Sequence, residues 1–346
     1  MQLRQAVDHA YNLFIRNEVP SPRLNAELLL LFVLGRERSF LYAHPEYELT
    51  PDEQAQYDEV IAQRARGCPT QYITGHQEFW GLDLLVSPAV LIPRPETEHV
   101  VETVLELVQR YYQEHQHNGG HEDPSACARL DSGRIRILDV GAGSGAIALA
   151  LASELPQAEI HGCDISEEAL EMARINAARL ALGSHVLFRK SDLLETYLSE
   201  TASASGATVE GSAPASALPA GGTASGPGTT SGGSAPASAS PAPGGGQFDF
   251  VVSNPPYVGE QEADKVQKQV REFEPRIAVF SGEQGIDIYR RLIPQAREAL
   301  RPGGWLVMEI GFSTEAKVKE LLAGWTDVQT TADLQGIPRV VAARKS

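Results

Sequence analysis

Ile135-Arg136-Ile137-Leu138-Asp139-Val140-Gly141-Ala142-Gly143-Ser144-Gly145-Ala146-Ile147-Ala148-Leu149-Ala150-Leu151-Ala152-Ser153 reads as a strand, a glycine-rich turn and a helix in direct succession. The strand is expected over residues 135–140 and the helix over 145–153. Glycines at alternate positions, Gly141, Gly143 and Gly145, let the backbone turn sharply and approach a ligand with no Cβ in the way. Downstream the alternation continues, with strands expected over 158–163, 186–189, 248–253 and 305–310 and helices over 166–180 and 285–300. Two later apolar runs complete the sheet. Strands and helices in alternation imply an α/β fold, a mostly parallel sheet with helices on both faces.

Upstream the pattern changes. Residues 1 to about 75 read as a small helical domain. Ser21-Pro22 opens one helix as cap and first-turn proline, and Gly35 closes it. Apolar spacing over Leu28, Leu29, Phe32 and Val33 gives that helix one buried face. Thr50-Pro51-Asp52-Glu53 is a capping box. Aromatic and β-branched residues around Gly81 predict a hairpin within 78–91, and a helix follows over about 96–113. The chain divides into a helical domain at 1–77, a hairpin and hinge at 78–95, and an α/β domain at 96–346.

Two segments stand outside this scheme. Residues 114–133 are polar and hold His115, His117 and His121 without helical i, i+4 pairing, which favours a solvated linker over a metal site. Residues 200–247 are almost entirely Ala, Ser, Gly, Pro and Thr, a composition with too little apolar surface to order itself. Loop-closure cost rises by only about 0.6 kcal/mol per doubling of length, so a passive loop of this size between two strands is tolerable.

The 346-residue chain carries a formal net charge of −16, which disfavours a protein whose main task is to hold nucleic acid. Cys68, Cys127 and Cys163 lack CxxC spacing and fit a reducing compartment better than a disulfide framework or zinc site. The N-terminus has no signal-like apolar core, and the apolar run over 28–34 falls far short of the roughly 20 residues that span a bilayer. A cytoplasmic, monomeric protein without membrane contact is expected.

The turn Gly141-Ala142-Gly143-Ser144-Gly145 lies where open parallel sheets bind ligands, just outside the carboxyl ends of the strands. Asp164 follows at the end of the next strand, where an acid commonly bonds ribose hydroxyls. Asp192, past the third strand, suits an adenine amino group or a plain helix cap. Gly141, Gly143 and Ala146 also satisfy the dinucleotide fingerprint, so the loop indicates a nucleotide-like cofactor and no more.

Asn254-Pro255-Pro256-Tyr257 stands at the exit of the strand over 248–253. Two prolines fix φ and remove donors, leaving a rigid loop that presents carbonyl acceptors. A planar NH2 group offers two in-plane donors, which the Asn254 amide oxygen and a proline carbonyl can take, while Tyr257 stacks on its flat face. Such a clamp catalyses by positioning, and by itself it does not separate an amide from an adenine amino group.

Together the glycine loop and Asn254-Pro255-Pro256-Tyr257 resemble the class I methyltransferases that modify exocyclic or amide nitrogens. The similarity is closer to the bacterial release-factor glutamine methyltransferases. It rests on Ser21-Pro22-Arg23-Leu24-Asn25-Ala26-Glu27, Gln71-Tyr72-Ile73-Thr74-Gly75, Glu78-Phe79-Trp80-Gly81-Leu82 and Leu91-Ile92-Pro93-Arg94-Pro95-Glu96-Thr97-Glu98. Tyr289-Arg290-Arg291, Leu300-Arg301-Pro302-Gly303-Gly304 and Glu309-Ile310-Gly311 extend it over nearly the whole chain. The resemblance implies S-adenosyl-L-methionine as cofactor, held by Gly141 to Gly145, Asp164 and Asn254, with Asp192 and Leu193 along the adenine. Leu193 replaces a residue that is often aromatic in the family, so stacking is lost there.

The implied substrate is a glutamine amide held by Asn254, Pro255, Pro256 and Tyr257: the Gly-Gly-Gln glutamine of class I peptide chain release factors, gripped elsewhere by the helical domain. An amide nitrogen is a poor nucleophile, so two hydrogen bonds that strengthen during attack help most in the transition state. Arg94, Glu96 and Glu98 fit equally well as a salt-bridged loop. Three other functions share parts of this pattern. They are methylation of a ribosomal-protein glutamine, adenine-N6 methylation of nucleic acid (at odds with the acidic balance), and an inactive cofactor-binding scaffold.

Overall fold

The computed structural model describes residues 1–117, 134–205 and 248–346. The expected linker and the Ala/Ser/Gly/Pro insert fall mostly outside these residues. Their first residues are helical, because the helix expected to stop near 113 runs to His117 and another runs from Glu195 to Ser205.

Five helices form the N-terminal domain: α1 Leu3–Arg16, α2 Pro22–Leu34, α3 Arg38–Ala43, α4 Pro51–Ala65 and α5 Thr70–Thr74. Their shared core holds Leu3, Phe14, Leu29, Leu30, Tyr57 and Ile61, and the Tyr57 hydroxyl donates to the Ala26 carbonyl at 2.9 Å. The capping box at Thr50 forms in both directions, at 3.2 and 2.7 Å. Two expectations for α2 need correction. Ser21 makes no side-chain cap and sits at φ +47°, so Pro22 alone opens the helix. Leu28 and Phe32 lie exposed at 42% and 46% while Ala26, Leu29 and Leu30 are buried. The run from Leu28 to Val33 is apolar at every position, so periodicity cannot fix which side faces the core.

A hairpin of β1 His76–Phe79 and β2 Leu82–Leu85 turns through Trp80 and Gly81, both at positive φ. It is shorter and earlier than the 78–91 expected. Asn176 fastens it: the side chain accepts from Leu85 N at 2.7 Å and donates to Leu85 O and Ser144 O, both at 3.0 Å. One buried amide thus ties the hairpin to the glycine turn.

The α/β domain follows with α6 Glu98–His117, β3 Arg136–Val140, α7 Ala146–Glu154, β4 Glu159–Asp164, α8 Glu167–Arg179 and β5 Val186–Lys190. It continues with α9 Glu195–Ser205, β6 Phe248–Ser253, α10 Lys268–Phe273, α11 Arg276–Val279 and α12 Asp287–Ala299. β7 Leu300–Glu309, α13 Glu315–Leu321, β8 Thr326–Ala332 and β9 Pro338–Arg344 complete it. The sheet order is β5-β4-β3-β6-β7-β9-β8, parallel through β7 and antiparallel at β9 and β8. Counted within the domain this is 3-2-1-4-5-7-6, and the inserted antiparallel last strand separates it from the dinucleotide-binding order. Alternate residues of β3 face opposite cores: Ile137 belongs to the core that holds Val104, Leu149 and Leu170, and Leu138 to the one that holds Leu292, Ile293 and Val318.

Candidate active site

β3 and β6 are neighbours at the centre of the sheet, with Val140 in register with Ser253. Their exits therefore lie side by side at the switch point of the strand order, where open α/β sheets bind ligands. The Ser253 hydroxyl donates to Val140 O at 2.6 Å and fixes the two exits together.

The glycine turn is built on backbone bonds. Gly141 N and Ala142 N donate to Cys163 O at 2.8 and 2.9 Å, and Gly143 N donates to the Asp164 carboxylate at 2.9 Å. Gly141, Gly143 and Gly145 all sit at positive φ, between +56° and +84°. A Cβ on Gly141 or Gly143 would meet nothing within 4 Å, whereas one on Gly145 would press on Leu149, Ala173 and Phe188 at 3.1 to 3.2 Å. The first two glycines leave space for a ligand and the third lets the helix pack. Asp139 is buried beneath the turn; one carboxylate oxygen accepts from Ala148 N at 3.1 Å and the other has no partner. Burial pushes its pKa up to about 7. Burial also raises Asp164, whose two oxygens each accept one backbone N–H and keep lone pairs for more.

Gly141, Ala142, Gly143 and Ser144 border one cavity with Asp164, Asp192 and Leu193, and Asn254, Pro256 and Thr97 border it too. Gly145, Pro255 and Tyr257 do not. The Asp192 carboxylate accepts from Arg291 at 2.7 Å, an ion pair on the cavity wall that raises the arginine's pKa. Leu193 sits at φ +49°, held by Cys163 Sγ donating to its carbonyl at 3.2 Å and by Leu194 N donating to Gln295 at 2.9 Å.

The Asn254 loop is anchored through the hinge. Asn254 Nδ2 donates to Thr97 Oγ1 at 2.9 Å, and Thr97 Oγ1 donates to Glu309 Oε2 at 2.6 Å. The Tyr257 hydroxyl donates to Glu309 Oε1 at 3.1 Å, and Tyr289 donates to the Glu309 carbonyl at 2.8 Å. Burial pushes Glu309 up to about 7, and the Glu309 carboxylate raises Tyr257. Tyr257 is thus tethered inward by its hydroxyl. Arg94 pairs with the buried Glu274, which also accepts from Ile92 N at 3.2 Å. Glu96 lies 3.7 Å from Arg339, and Glu98 accepts from Trp80 N at 2.9 Å. These three hinge charges hold the loop in place. Thr97, Glu309, Asn176 and Arg291 carry geometry that their sequence neighbourhood did not assign to them. Thr97 and Glu309 stand inside stretches singled out for resemblance, which is the one signal that marked them.

The strand order and the paired loops define a class I methyltransferase, whose cofactor is S-adenosylmethionine. The cradle suits that group: two turn glycines face open space, and an acid stands at the next strand's end. The model of a methyltransferase domain matches residues 131–204, and that of the PrmC N-terminal domain matches residues 5–75. A release factor glutamine methyltransferase of Koribacter versatilis is 48% identical, covering 100% of this chain and 99% of its own. Relatives of the same description from Geobacter sulfurreducens (33%, covering 99% and 96%) and Escherichia coli (36%, covering 94% and 92%) are similarly complete. The chain belongs to the release factor glutamine methyltransferase family. Among the described residues, no helix is long and apolar enough to cross a membrane.

Proposed function

We propose that this protein methylates the side-chain amide nitrogen (N5) of the glutamine in the Gly-Gly-Gln motif of class I peptide chain release factors. The observation that carries the proposal is Asn254, anchored through its Nδ2 and bordering the cavity that the glycine turn also borders. When bound, S-adenosylmethionine supplies an activated methyl group. The cradle of Gly141 to Ser144 would hold it, with Asp164 toward ribose hydroxyls and Asp192 and Leu193 toward the base, while Gly145 lets the helix pack. Asn254 Oδ1 and a carbonyl of the Pro255-Pro256 pair accept hydrogen bonds from the two amide N–H groups of the substrate and orient its nitrogen; Pro256 borders the slot, and Tyr257, tied to Glu309 outside the cavity lining, braces the loop. No strong base is needed at the start, because the amide stays neutral until its nitrogen attacks the methyl carbon, and one N–H proton is lost as the new N–C bond forms. Hydrogen bonds that tighten as positive charge grows on that nitrogen lower the barrier.

The N-terminal domain grips the release factor away from the site, and the protein acts as a monomer without direct contact to nucleic acid. Support comes from the relatives described as release factor glutamine methyltransferases, which favour a release factor over a ribosomal protein, and from the net charge of −16, which disfavours nucleic acid. Incubation with labelled cofactor and a class I release factor, followed by peptide mapping, tests the proposal. A methyl group on the Gly-Gly-Gln glutamine is expected. An unmodified glutamine in the presence of folded, cofactor-binding enzyme would contradict it.

A further inference from the structure

Glu309 is wholly buried, and every group on its carboxylate is a hydroxyl: Thr97 at one oxygen, Tyr257 at the other. An ionised carboxylate can only accept. Thr97 has one hydroxyl proton, and at 2.6 Å it goes to Glu309. Toward Asn254, 2.9 Å away, Thr97 can then act only as acceptor. Asn254 must turn its NH2 inward, and its Oδ1 is the end left for the cavity. With a neutral, two-way group in place of the carboxylate the hydroxyl could reverse and the amide flip, offering N–H donors to the substrate instead.

We propose that Glu309 is the positioning residue that sets, through Thr97, which way the Asn254 amide faces, and thereby makes the clamp select an amide over a carboxylate. This rests on the function proposed above. Direction matters because a glutamine NH2 and a glutamate oxygen occupy the same volume. Only the donor–acceptor sense of the clamp tells them apart, and a buried mismatch there leaves polar groups unpaired. The other charges around Glu309 are Glu96, which opposes its ionisation, and Arg339, which favours it; Asp333 shares Arg339 at 2.8 Å. Tyr257 and Tyr289 face it as neutral hydroxyls. With a pKa of about 7, protonation of Glu309 in mild acid would release the same constraint.

The test uses the isosteric Glu309→Gln, which keeps packing and removes the acceptor-only character. Wild type and variant are compared for affinity toward an intact release factor and its Gln→Glu form at the Gly-Gly-Gln position. The preference for glutamine should fall by about tenfold or more in Glu309→Gln. In wild type the preference should weaken as pH drops through 7, and in the variant it should not change with pH. Thr97→Val should lose the preference and Thr97→Ser should keep it, a contrast that a purely structural role would not produce. An unchanged preference in both Glu309→Gln and Thr97→Val, with cofactor affinity intact, overturns the proposal. Side-chain NH2 exchange of Asn254 gives a reading that needs no turnover: slow in wild type and Thr97→Ser, fast in Thr97→Val. Fast exchange in wild type also overturns it, whereas absent methylation with slow exchange counts against the proposed function alone.

Discussion

Asn254 is held at one end and free at the other, so its replacement should damage turnover and little else. Asn254→Ala is expected to lower kcat about 10²- to 10³-fold, as when one preorganised polar contact is removed from an active site, with cofactor affinity within about twofold. Isothermal titration and steady-state kinetics together check this. Glu309 and Asp139 give a second expectation with a definite sign. Both have folded pKa values raised to about 7, so each stabilises the fold most at low pH, and that contribution is lost as pH rises through 7. Activity runs the other way for Glu309, whose ionised form orients the clamp. Urea unfolding of Glu309→Gln between pH 5 and 8 should show a flatter profile than wild type. At this scale the placement of Gly141, Gly143, Asp164 and Asn254 around one cavity was legible, because each stands at the exit of a strand that the local pattern marks. Thr97 and Glu309 were not, because their contact joins positions 212 apart and a lone Thr or Glu carries no sign of its partner.

The elements around the site are pinned at a few points, and those points should be the sensitive ones. Gly145→Ala places a Cβ against Leu149, Ala173 and Phe188 at φ +84°, and should destabilise by about 2 kcal/mol. Gly141→Ala meets open space; it should cost less stability and act mainly on cofactor affinity. Glu274 joins the hinge to the segment after the Asn254 loop, and truncating it leaves Arg94 partly buried without its partner. Glu274→Ala should cost about 3 kcal/mol, read as a lower urea midpoint. Strand–helix alternation was legible here because parallel strands and their helices have different periods. The stretch Glu260–Val279 was not, since a 3-10 turn and two short helices carry no sustained period. Backbone bonds from Val258 N to Val279 O and Ser281 N to Val258 O hold it, at 3.1 and 2.9 Å.

At the scale of the molecule, the helical domain meets the catalytic domain through side chains that the two sequences could not announce separately. Arg64 donates to Gln269 of the α/β domain at 3.1 Å, and the Tyr72 hydroxyl donates to Val90 O of the hinge at 2.6 Å, on the cavity wall. A recognition role for the N-terminal domain makes an intact release factor a far better substrate than a short Gly-Gly-Gln peptide. Steady-state kcat/KM for the two should differ by about a hundredfold or more, mostly in KM, if remote binding energy is used mainly for capture. The most direct test remains the chemistry itself. Wild-type protein, labelled S-adenosylmethionine and a class I release factor should give one methyl group, mapped by fragmentation to the side-chain nitrogen of the Gly-Gly-Gln glutamine. Methylation at any other residue, or none from folded enzyme that binds the cofactor, would contradict the account.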